Sequence, residues 1–144
     1  MDKAVKGFTL IELVVVITIL GILAAFAFPR FAALETEARA ATVNGLAGSL
    51  RAATALAHSL SLVQGGPASV TMEGNTIDMT FGYPDNDEVH LTLTEYTGFT
   101  HAAGPPVSFT PSGVAVAANC QVTYAEAAAA GGTPTITATT TDCS

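Results

Sequence analysis

Glu12 is the only charged residue between Phe8 and Phe28. An acid inside an otherwise apolar run is costly unless it is paired, and an ionisable group in a membrane-length segment is a functional site by default. Phe8 and Glu12 are four residues apart, so on a helix they share a face. Thr9 lies between them as a further hydrogen-bonding group. The other reactive side chains are sparse. His58, His90 and His101 are scattered and far from any cysteine or serine nucleophile motif, and the chain has no G-x-S-x-G, HExxH or P-loop pattern. Two cysteines and three dispersed histidines lack the spacing of a zinc site. Asp85-Asn86-Asp87-Glu88 offers hard oxygen ligands of the kind Ca²⁺ takes, but without an EF-hand pattern it reads as a solvated acidic turn or a helix cap. No catalytic residue, metal or cofactor is expected, and the chain does not read as an enzyme.

The apolar run has the length of a membrane span. From Phe8 to Phe28 a helix would extend about 31 Å, enough to cross a hydrocarbon core. Lys3 and Lys6 precede it, which favours a cytoplasmic N-terminus, whereas Arg30 on the far side opposes that orientation. Three readings of the residues are open. The run could be a secretory signal cut after Ala25-Phe26-Ala27. It could be a plain membrane anchor, or a helix that is kept and used. Signal peptides have apolar regions of about 7–15 residues, shorter than this one, and a signal leaves Glu12 unexplained.

Lys6-Gly7-Phe8-Thr9-Leu10-Ile11-Glu12-Leu13 resembles the prepilin motif of type IV pilins and the related pseudopilins. The six residues before Gly7 are similar to class a leaders. The resemblance implies that a prepilin peptidase cuts between Gly7 and Phe8, and that Phe8 is then N-methylated. It implies that Glu12 guides assembly by neutralising the new Phe8 amine of a neighbouring subunit, with Thr9 as an extra partner. The apolar segment then becomes the first half of a long helix. Shorter stretches, Gly82-Tyr83-Pro84 and Cys120 to Glu126, resemble the mannose-sensitive haemagglutinin branch of pilins.

The expected fold is α+β, the pilin fold: a long N-terminal helix, its apolar half protruding, packed on a C-terminal antiparallel sheet. The expected divisions are a cleaved leader at 1–7, an apolar membrane and filament-core helix at 8–29, an amphipathic half at 30–63, and a sheet domain at 64–144. Pro29 removes a backbone donor and Gly21 is a weak helix former. With the melted segment implied by the resemblance, these two predict a loosened stretch between Gly21 and Pro29, or a simple kink in the isolated subunit. Gly21 and Ala25 have spacing that permits close helix approach. Phe8, Phe26, Phe28 and Phe31 read as helix packing rather than a path for electrons.

Beyond Pro29, Phe31, Leu34, Ala38, Val43, Leu46, Leu50, Ala53, Ala57 and Leu60 form one apolar stripe. Glu35 and Arg39 form an i,i+4 pair beside it. The helix should end near Val63, before Gln64-Gly65-Gly66-Pro67. A hairpin is expected from 70–73 to 76–81 through a turn at Gly74-Asn75. Residues 88–97 read as a short helix in preference to a strand, and further strands are expected at 107–110, 114–117, 120–125 and 134–140. An exported domain occupies a compartment where disulfides persist, so Cys120 and Cys143 should pair. The resemblance also implies a C-terminal disulfide loop. In the chain-entropy model its closure contributes about 3 kcal/mol.

The whole chain carries five basic and twelve acidic residues, a formal charge of −7. The leader holds Asp2, Lys3 and Lys6, a net +1, so its loss takes −7 to −8. No lysine then remains and no Lys or Arg follows Arg51. This argues against direct nucleic-acid binding, which depends on basic groups to neutralise phosphates. The expected function is the structural subunit of a type IV pilus for adhesion, motility or aggregation. The expected partners are other pilin subunits, the prepilin peptidase and methyltransferase, and the inner-membrane assembly machinery. The chain would reside in the inner membrane before assembly and in an extracellular filament afterwards. The alternatives are a type II secretion pseudopilin and a membrane-anchored periplasmic binding module.

Overall fold

The computed structural model describes residues 7–144. Helix α1 runs from Leu10 to Val63. It contributes to two compact units, one ending at Glu35 and the other running from Thr36 to Ser144. In the first unit every described residue is solvent-exposed in the lone chain. The helix passes without a break through Gly21 and Pro29. Because Pro29 has no N–H, the bond to the carbonyl of Ala25 is missing, but the flanking bonds hold the helix.

In the second unit α1 buries one face: Val43, Leu46, Ala47, Leu50, Thr54, Ala57 and Ser61. Their spacings of mostly three and four are those of a helix stripe. Phe31 and Leu34, expected on the same stripe, are exposed instead. α1 ends in a Schellman motif. Gly66 N–H donates to Ser61 C=O at 2.8 Å and Gly65 N–H to Leu62 C=O at 3.2 Å. Gly65 has φ +84, which a residue without Cβ adopts freely.

Two antiparallel sheets follow where a single sheet was expected. The first is three-stranded: β1 (Ser69–Met72), β2 (Asn75–Thr80) and β3 (Tyr83–Pro84). Met72 pairs with Asn75, so the β1–β2 turn is Glu73-Gly74, one residue earlier than expected. Both turn residues have positive φ, as a type I′ hairpin requires. The second sheet is a meander of β4 (Phe99–Ala102), β5 (Val107–Pro111), β6 (Cys120–Ala125) and β7 (Thr135–Thr140).

Three expectations need correction. The helix at 88–97 is a single 3-10 turn, Val89–Thr92. The 114–117 segment is no strand, since Ala115 N–H bonds the chain end at Ser144 C=O rather than a sheet neighbour. β3 and β4 were not anticipated, being short and, in β3, ending in proline.

The core lies between α1 and the four-stranded sheet. Val43, Leu46, Ala47 and Leu50 pack with Val107 and Phe109 of β5 and Val122 and Tyr124 of β6. The alternate residues of β5 and β6 point inward, giving the period-two burial of a half-covered sheet. Tyr124 O–H donates to Pro84 C=O, joining β6 to β3. Its burial pushes the phenol well above its ordinary range.

Candidate assembly site at the helix start

Thr9 is the N-cap of α1: its carbonyl accepts the N–H of Leu13 at 3.3 Å. Its hydroxyl accepts the N–H of Glu12 at 3.3 Å. In return, the Glu12 carboxylate accepts the Thr9 N–H at 2.8 Å and the Thr9 hydroxyl at 2.7 Å. This reciprocal pair is a capping box, with threonine at the cap and glutamate three residues on. The spacing Thr9-x-x-Glu12 ahead of an apolar run signals that motif in the sequence, where Thr9 stood only as an extra hydrogen-bond partner.

The box holds Glu12 at the helix start, where a carboxylate also meets the positive end of the helix dipole. Phe8, Ile11, Glu12, Val15 and Val16 line a shallow open hollow there. Phe8 is 91% exposed, and Gly7, just ahead of the helix, has open space on the side where a Cβ would project. The stretch that follows is long and apolar enough to cross a membrane by length and composition. Leu10, Ile11, Leu13, Val14, Ile17 and their successors are solvent-exposed in the lone chain, an arrangement that demands cover by lipid or protein.

Residues 2–28 match the family described as the prokaryotic N-terminal methylation motif. The chain is also 54% identical over 52 residues to PilA5, a type IV narrow pilus major component of Thermus thermophilus. The N-terminal segment carries the prokaryotic N-terminal methylation motif. The aligned part takes in 36% of this chain and 45% of PilA5, less than half the length of that relative. No solved structure matches the chain.

In the second unit, Cys120 and Cys143 form a disulfide with Cα atoms 4.9 Å apart. It ties the first residue of β6 to the end of the chain. Arg39 reinforces this closure: its Nη1 donates to Cys143 C=O at 3.1 Å. The acidic stretch Asp85–Glu88 is used by the fold. Asp85 accepts the Glu88 N–H at 2.9 Å, and Glu88 accepts the Asp78 N–H at 2.6 Å. Asn86 exchanges two backbone–side-chain bonds with Glu126. Burial pushes the Asp85 carboxyl above its ordinary value, and the Glu88 N–H opposes that shift. Among the described residues no cluster of three or more potential metal ligands is found.

Two of the histidines scattered in sequence meet in space. His90, in the 3-10 turn, and His101, in β4, stack with ring centroids 4.5 Å apart. Tyr96 and Phe109 complete the cluster. Only the register of β4 against its neighbours brings them together, and no spacing in the sequence announces it.

Proposed function

We propose that this chain is the structural subunit of a type IV pilus, built by polymerisation through its N-terminal helix and serving adhesion, motility or aggregation. The observation that carries the reading is a membrane-length apolar helix that opens on a glutamate within the matched methylation motif. PilA5, which shares 54% identity over part of its length, is a major component of such a pilus.

The subunit waits in the inner membrane through its apolar segment. A prepilin peptidase cuts between Gly7 and Phe8, and Phe8 is N-methylated. The assembly machinery then lifts the subunit from the membrane into the base of an extracellular filament. Burial of the apolar side chains against other copies drives polymerisation. The leader at 1–7 is lost, 8–29 forms the filament core, and α1 unwinds between Gly21 and Pro29 as it packs. The surface domain, closed by Cys120–Cys143, faces outward.

Glu12 sets the axial stagger. The capping box orients its carboxylate before a partner arrives, and the amine at a neighbouring Phe8 then neutralises it. A buried charge left without its partner costs about 3–5 kcal/mol, enough to disfavour a wrong register.

Glu12→Gln tests this, because glutamine keeps the capping box while removing the charge. The variant should insert in the membrane and keep its helix, yet yield few or no filaments by electron microscopy of sheared material. Filaments at the unaltered level would reduce Glu12 to a helix cap and remove the register mechanism.

A further inference from the structure

The stacked rings of His90 and His101 each turn one nitrogen into the protein. His90 Nδ1 and His101 Nε2 are buried and have no hydrogen-bond partner. A neutral imidazole tolerates this, because its single proton can sit on the other nitrogen. The imidazolium cannot, because both of its nitrogens carry a proton. Charging either ring therefore leaves a buried N–H without an acceptor. Charging both sets two cations against each other, with ring centroids 4.5 Å apart.

Tyr96, on the loop between the two histidines, meets both rings, and Phe109 of β5 packs against His101. Strand β5 has no charged residue. The α1 residues beside the loop, Thr42, Gly45, Leu46 and Ser49, are uncharged as well. The acids on the surrounding elements are Glu88 before the turn, Asp78 on β2, which packs beside the turn, and Glu95 on the loop. The Glu88 carboxylate accepts the Asp78 N–H, and that of Glu95 accepts the Thr97 hydroxyl. The segment carrying the rings is lightly held. β4 is an edge strand, paired with β5 alone. The N–H groups of Leu91, Leu93 and Phe99 bond carbonyls three residues back. A groove of about 430 Å³ opens between the loop and α1. Such segments open at a lower free energy than the core they cover.

We propose that the His90–His101 stack is an acid-sensitive latch: in mild acid the turn at Val89–Thr92 and strand β4 part, and residues 89–102 open while β5, β6 and β7 stay paired. Opening brings both rings to water, so the open form takes up protons that the closed form resists. His101 agrees in sign, since burial and the charge of His90 make it a weaker base than an ordinary histidine. The open population rises up to about tenfold per pH unit for each proton taken up. Leu93, Tyr96 and Phe99 pack against the core, so their departure uncovers Phe109 of β5 and Leu46 of α1. The latch uses only the second unit's own residues, so it stands or falls separately from polymerisation.

The test is hydrogen exchange of the full chain in detergent, read by mass spectrometry on either side of the histidine range, at about pH 7.5 and about pH 5.5. Rates are corrected for the intrinsic pH dependence of amide exchange. In acid, peptides covering 89–102 should lose protection by about tenfold or more, and those of β6 should remain better protected by at least that factor. His101→Phe keeps an aromatic ring in the stack but takes up no proton, and His90→Gln removes the other base. Each single variant should lose less protection in acid than the unaltered chain, and the double variant should hold it within about twofold. The proposal is overturned if 89–102 is equally protected at both pH values, if β6 falls to the same protection as 89–102, or if the variants lose as much as the unaltered chain.

Discussion

Tyr124 and His101 show what single side chains do inside the second unit. Tyr124 is fully buried, and its hydroxyl satisfies the buried carbonyl of Pro84. Tyr124→Phe removes that donor and keeps the ring, so the change isolates the bond. It should cost about 1–3 kcal/mol, read as a lower urea midpoint of the detergent-solubilised chain. An unchanged midpoint would mean the two sheets do not depend on this link. His101 is governed by burial, which holds its pKa below the ordinary 6.5, with the charge of His90 pressing the same way. A base with a lowered folded pKa takes up protons more readily when unfolded. Stability is therefore full above 6.5 and falls as pH drops through 6.5 toward the lowered value. His101→Gln should flatten that acid limb in urea titrations, and a limb of the same steepness would assign it to other groups. Glu12 was legible in the sequence because a lone acid in an apolar run is conspicuous. The His90–His101 stack was not, since it depends on strand register and a 3-10 turn.

At the scale of elements, the sequence was most informative where local rules act alone. The end of α1 follows from Gly65-Gly66 and is realised as a Schellman motif. The apolar stripe is real from Val43 onward, where a sheet lies against it, and fails at Phe31 and Leu34, which are exposed. The β1–β2 hairpin was placed one residue late because Glu73 takes a positive φ that favours other residue types. The run Val114-Ala115-Val116-Ala117 looks like a strand, yet its backbone bonds the chain terminus, a long-range choice that no local pattern reveals. Cys120–Cys143 closes this C-terminal stretch with a sequence separation of 23. Reducing it frees a loop whose closure is worth about 3 kcal/mol. The urea midpoint should fall on reduction, with β7 amides losing hydrogen-exchange protection before those of β5. Equal protection in both redox states would show that the β6–β7 ladder alone holds the end of the chain.

For the whole molecule, two properties divide along the chain. The matched N-terminal segment is apolar and exposed in isolation, whereas the residues after Arg51 include no Lys or Arg. In the proposed filament the first is buried and the second is displayed on an acidic surface. Such a surface favours solubility and disfavours direct contact with nucleic acid. The decisive measurement is intact mass with N-terminal fragmentation of the protein sheared from cells. A processed pilin begins at N-methylated Phe8 with Cys120 and Cys143 oxidised, and that is the expected result. A chain beginning at Phe28 would identify a conventional signal peptide, and one beginning at Met1 a plain anchor. Either result would contradict the proposal that this helix is processed and built into a filament.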